Sequence, residues 1–122
     1  MTRGKSSVEA RFRLRLTRGD EILLGPGKVD LLEAIAREGS ITAAARALGM
    51  SYRRAWELID DLNGIFGQPV VESKSGGKKG GGATLTPLGL SLISRYRAME
   101  RAAAAATEPH LVALLKELQP SK

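Results

Sequence analysis

Tyr52-Arg53-Arg54 follows Ser51 directly and opens a stretch in which Ala55, Ile59, Leu62 and Phe66 recur at helical spacing. A guanidinium is a planar fork of N–H donors that matches the O6 and N7 acceptors of guanine, and it matches phosphate oxygens equally well. Positive charge at a helix start opposes the local dipole, so a purely structural helix would avoid two arginines there. The pattern points to an anionic partner met by the first turn of this helix. Ser51, Tyr52, Arg53 and Arg54 are the residues expected to face it, and residue type alone does not separate base contact from phosphate contact. Thr42, on the first turn of the preceding predicted helix, offers a hydroxyl to a phosphate; plain capping is the other reading. Lys74, Lys78 and Lys79 lie in SKSGGKKGGG (73–82), a tip suited to a nucleic-acid backbone or minor groove, with a solvated loop as the alternative.

No comparable set of residues assembles a catalytic site. The chain has no cysteine, which removes thiol chemistry, disulfides and thiolate metal sites. The sole histidine, His110, sits beside Pro109, a poor setting for catalysis or metal ligation. Asp60 and Asp61 are adjacent on a helix rather than facing each other, so they make a weak acid–base pair. The glycine run lacks the Gly-Lys-Ser or Gly-Lys-Thr ending of a phosphate loop. The expectation is a protein that is not an enzyme and needs no cofactor or metal. A net charge of +6 over 122 residues favours a polyanionic partner. The N-terminus has no apolar run of a signal peptide and no segment approaches a membrane span, so a cytoplasmic protein without membrane contact is expected.

Several elements must position these residues. Residues 8–16 alternate strictly, with Val8, Ala10, Phe12, Leu14 and Leu16 on one face and Glu9, Arg11, Arg13 and Arg15 on the other, which predicts a half-buried strand. Its arginines fit a solvated face better than a DNA contact. Thr17-Arg18-Gly19-Asp20 supplies a turn and Glu21–Leu24 a returning strand. Gly25-Pro26-Gly27 breaks the chain before a helix from about Val29 to Arg37, striped by Leu31, Leu32, Ile35 and Ala36. Ser40 caps a second helix with Ile41, Ala44, Ala45 and Leu48 inward; Gly49 ends it, Met50 tucks into the core and Ser51 caps the third. Within that third helix Trp56 and Leu58 belong to the core, while Glu57, Asp60 and Asp61 face outward. Glu57 is read as a solvent-facing carboxylate in preference to a cytosine acceptor. Pro69–Glu72 and Ala83–Leu85 are predicted strands around the glycine tip. Thr86-Pro87 starts a long helix to about Ala106 through Leu88, Leu92, Ile93, Tyr96 and Met99, more apolar seam than a monomer needs. Pro109 interrupts it, and Leu111, Leu114, Leu115 and Leu118 form a separate tail helix.

This order, with Leu85-Thr86-Pro87-Leu88-Gly89 opening the last long helix, resembles the winged helix-turn-helix domain of LysR-type regulators and, more closely, of molybdate-responsive ModE-type regulators. Ser40-Ile41, Gly49-Met50-Ser51-Tyr52, Ala55-Trp56, Val71-Glu72, Gly76-Gly77-Lys78 and Gly80-Gly81-Gly82-Ala83 carry the resemblance, which covers about residues 8–106. It implies a mainly α fold with small β: a winged helix-turn-helix with an N-terminal β-hairpin and a long C-terminal dimerisation helix. The organisation expected is a flexible N-terminus at 1–7, the winged domain at 8–85, and a dimerisation helix with a tail helix at 86–122. ModE proteins usually continue into paired molybdate-binding domains, whereas this sequence ends at Lys122. The resemblance therefore implies DNA binding and dimerisation but not direct molybdate sensing.

The function expected is a homodimeric, sequence-specific transcription regulator that places the helix at 51–66 in the major groove of a roughly palindromic double-stranded DNA site. The wing at 70–85 would lie on the backbone or minor groove, and the ModE resemblance implies a link to molybdenum or related metabolism. Two other readings stay open: a molybdate or tungstate sensor using the glycine-rich hairpin or dimer interface, and an interaction protein that recruits a separate sensor protein.

Overall fold

The computed structural model describes residues 7–74 and 81–119. Two short antiparallel hairpins flank three helices, and a long fourth helix closes the chain. Strand β1 (Leu16–Arg18) pairs with β2 (Glu21–Leu24), with an irregularity between Leu16 and Thr17. Upstream of β1, residues 7–15 form no regular strand, which corrects the expected strand at 8–16. Alternation specifies which face is apolar but does not supply a neighbour. Because β2 has only four residues before the chain turns into a helix, nothing continues the ladder. Val8 and Phe12 consequently stand exposed, while Leu14 and Leu16 reach the edge of the core.

Helix α1 (Pro26–Glu38) begins earlier than the sequence suggests. Gly25 is its N-cap and Pro26 occupies the first turn, where the missing N–H costs nothing, so Gly25-Pro26-Gly27 starts the helix rather than breaking the chain. Val29, Leu31, Leu32, Ala34 and Ile35 are fully buried, and Ala34, not Ala36, completes the apolar face. This helix is the centre of the fold, in contact with α2 (Ile41–Ala47), α3 (Tyr52–Phe66), β4 (Gly82–Leu85) and α4 (Pro87–Leu115).

Ser40 and Ser51 cap α2 and α3 as expected, each Oγ accepting from a backbone amide three residues on at 2.9 Å. Between the two helices Gly49 adopts φ +70°, a left-handed conformation that a side chain would strain. The amide of Met50 returns to the Ala45 carbonyl at 3.0 Å, closing the turn. Leu48 ends α2 and is partly exposed rather than buried. Beneath the helices, Ala44 and Ala45 meet Ala55, Leu58, Ile59 and Leu62 in one core.

The second hairpin pairs β3 (Val71–Lys74) with β4, two residues later than the predicted Pro69–Glu72 strand. Pro69 and Val70 are used as an anchor instead. The Val70 amide donates to Asn63 Oδ1 at 2.9 Å, the Thr86 amide donates to Val70 O at 3.0 Å, and Thr86 Oγ1 donates to Pro69 O at 2.8 Å. The Ala83 amide donates to Gly39 O at 2.9 Å, so the base of the hairpin is fixed to the ends of α1 and α3. Gly89 lies so close to this anchor that a Cβ there would overlap the Val70 carbonyl oxygen.

Helix α4 runs unbroken for 29 residues, about 44 Å, through Pro109. The separate tail helix is therefore replaced by a continuation. Pro109 removes one backbone donor, at a usual cost of about 3 kcal/mol, but alanines 102–106 favour helix strongly on its N-terminal side. Thr107 Oγ1 also donates to the Ala103 and Ala104 carbonyls at 2.9 and 3.1 Å. Only the first third of α4 is buried: Leu92 and Tyr96 enter the core, Leu88 and Ile93 border it, and Met99, Val112, Leu114 and Leu115 are exposed.

Candidate nucleic-acid interface

The first turn of α3 projects from the domain. Arg53 and Arg54 keep 89% and 59% of their side-chain area exposed. Burial of Ala55, Leu58, Ile59 and Leu62 on the opposite face fixes the rotation of the helix and leaves this turn outward. Tyr52 is exposed and meets the half-buried Trp56 edge-on, with centroids 6.3 Å apart. Trp56 borders the core, in line with the sequence reading, and gives the tyrosine a firm backing.

Ser51 has a double use. Its Oγ accepts from the Arg54 amide, which caps the helix, yet the hydroxyl proton remains able to donate outward. Thr42 stands exposed on the first turn of α2. Capping there is done by Ser40, so the Thr42 hydroxyl has no capping task and no hydrogen bond among the described residues. Lys74 ends β3, exposed and opposite Gly82 in the hairpin register. Lys78 and Lys79 lie outside the described residues.

Two features went unread in the sequence. Glu57 is not simply solvent-facing: its Oε2 lies 3.4 Å from Arg53 Nε and its Oε1 lies 3.4 Å from Arg54, one oxygen for each guanidinium. The i, i+3 and i, i+4 spacings could have revealed this. Asp61 is also engaged, for the buried Lys28 reaches it at 2.6 Å and donates to the Ile22 and Leu23 carbonyls at 3.1 and 3.2 Å. A single ammonium thus holds β2, α1 and α3 together, which sets the pose of α3. No sequence spacing marks that link, because the partners come from different elements.

Beside α3 runs an open groove of about 1060 Å³, bordered by Arg54, Glu57, Asp60 and Asp61 on one wall and by Arg13, Arg15, Asp20 and Glu21 on the other. Basic groups gather at its Arg54 end on α3, and carboxylates follow along the helix. A rod of phosphates meeting only the first turn would avoid Asp60 and Asp61. Among the described residues no cluster of His, Cys, Asp and Glu could hold a metal ion.

The sequence model of the family described as "Bacterial regulatory helix-turn-helix protein, lysR family" matches residues 27–90, from the start of α1 to the start of α4. The molybdenum-pterin-binding protein MopB of Rhodobacter capsulatus is 51% identical over 77 residues, covering 63% of this chain and 28% of that protein. The DNA-binding transcriptional dual regulator ModE of Escherichia coli K12 is 38% identical over 89 residues, covering 73% of this chain and 34% of that protein. Full-length LysG of Corynebacterium glutamicum, solved with bound effector Arg, superposes with a TM-score of 0.56 at 26% identity over 78% of this chain and 30% of its own. This chain thus spans about a third of the length of these relatives. With the match running from α1 into the first turn of α4, the chain belongs to the lysR family of bacterial regulatory helix-turn-helix proteins.

Proposed function

We propose that the chain is a sequence-specific DNA-binding transcription regulator of the cytoplasm, acting on genes of molybdenum use rather than as an enzyme. The observation that carries this reading is the first turn of α3, where two exposed arginines stand on a helix whose opposite face is locked into the core. Arg53 and Arg54 read guanine edges in the major groove, with Tyr52, Ser51 and Thr42 contacting adjacent base or phosphate oxygens. Lys74, Lys78 and Lys79 lie along the backbone beside the groove. Its relatives ModE and MopB, named for DNA-binding regulation and for molybdenum-pterin binding, support the pathway.

The regulator acts as a homodimer. Support comes from the apolar residues left exposed on α4 and on the N-terminal segment, including Phe12, Val112, Leu115 and Val8. Two α3 helices would then meet successive major grooves about 34 Å apart on a roughly palindromic site. Bound fragments selected from a genomic library, followed by footprinting, test the reading. A preference for one sequence over random DNA at moderate salt is expected, and equal binding to both would end it.

A further inference from the structure

Glu57 occupies an unusual place for a carboxylate. It sits on the outward face of α3, one turn beyond Arg53 and Arg54, and divides its two oxygens between them at 3.4 Å each. Among the described residues these guanidiniums have no other carboxylate partner. A helix built only for stability would place the acid before the base, because that order suits both the pair and the dipole. Here the order is reversed, and all three side chains remain largely in solvent. The contacts are therefore weak enough to exchange on binding.

Resting on the DNA-binding reading above, we propose that Glu57 is a specificity-determining residue of the α3 surface, which disfavours DNA that offers the arginines phosphate alone. When Arg53 and Arg54 leave Glu57 for DNA, its carboxylate loses both partners while standing only about 6 Å along the helix axis from Arg53. On an arbitrary sequence it faces phosphates unpaired and repels them. A suitable sequence supplies two replacements together: guanine acceptors for the arginines, and an amino donor of cytosine for the carboxylate. Discrimination then comes from a repulsive element as much as from an attractive one.

The test uses the full chain and two duplexes of equal length: the one it enriches most from a random pool, and a scrambled version. For Glu57→Gln, affinity for the scrambled duplex should rise about threefold to tenfold, with a steeper salt dependence. The enriched duplex should gain nothing, so the ratio between the two falls at least about threefold. Glu57→Asp, which keeps the charge, should retain most of the discrimination. In an Arg53→Ala, Arg54→Ala background the Glu57→Gln gain should shrink. Equal changes on both duplexes, including none on either, would overturn the role of Glu57 while leaving the DNA-reading proposal intact. A chain that enriches no duplex removes both.

Discussion

Among the described residues two clusters of arginines and carboxylates differ in everything that determines use. On the α1–α4 face, Arg97 meets Glu33 at 2.7 and 3.0 Å, Asp30 at 3.0 Å and Glu100 at 2.8 Å, and lies 5.5 Å from the centroid of the buried Tyr96 ring. Only 28% of its side chain is exposed. The three carboxylates hold the guanidinium charged well above its ordinary range, and the same contact lowers the Glu33 carboxyl. At the start of α3 the ratio is inverted: two guanidiniums share one carboxylate, at longer distance and in solvent. A saturated, half-buried arginine joins elements of the fold. Under-partnered, exposed arginines on a fixed scaffold retain donors for an external anion.

If that contrast is right, substitutions at the two clusters should affect different measurements. The largest effect is expected from replacing Arg53 and Arg54 together by Ala. Specific DNA binding should weaken by about 3 kcal/mol or more, roughly a hundredfold, with each single change costing about 1–3 kcal/mol. Thermal stability should stay within about 0.5 kcal/mol of the parent, because both side chains are largely exposed. Titration of the selected duplex, paired with calorimetric melting, separates the two. A preferred site left intact would show that base reading lies elsewhere.

Arg97→Ala should do the converse. It strands Asp30, Glu33 and Glu100 near one another and should cost about 2 kcal/mol of stability, between the values for exposed and buried pairs. At temperatures where the variant is fully folded, the affinity of its monomeric unit for DNA should be unchanged. Denaturant unfolding followed by binding below the transition checks both halves.

The Arg97 cluster also predicts a pH dependence. The Glu33 carboxyl is lowered, chiefly by its hydrogen bonds to Arg97, so it binds protons less readily in the folded chain than in the unfolded one. Its stabilisation is fully present above the ordinary carboxylate range and is lost as pH falls through the lowered folded value. Glu33→Gln should therefore flatten the decline of stability below about pH 4.5, seen as a shallower fall of melting temperature.

The two clusters also differ in how far the sequence reveals them. The helix-turn-helix was legible because its signals are local: Ser40, Gly49 and Ser51 stand at the caps, and the apolar period of α3 leaves Arg53 and Arg54 outward. Arg97 was not legible, since its α1 partners lie 64 and 67 residues away and nothing local selects them. The same limit explains the N-terminal segment, where alternation was real but a strand needs a neighbour. Pro109 misled for the opposite reason: a strong local rule was overridden by the alanine-rich helix before it. Glu57 lay within reach of local spacing, three and four residues from its arginines.

Lys74 offers the finest test of the contrast, because it is a single exposed cation outside both clusters. It ends β3 on a hairpin whose base is anchored to Gly39, Asn63 and Thr86, so its position is set while its ammonium stays hydrated. A point charge of that kind neutralises phosphate but cannot read a base edge by a bidentate fork. Lys74→Ala should therefore weaken preferred and scrambled duplexes alike, by less than either arginine change. The slope of log affinity against log salt should become shallower by about 0.9. A loss confined to the preferred duplex would place Lys74 with the base-reading residues, and an unchanged salt slope would place the hairpin away from the phosphates.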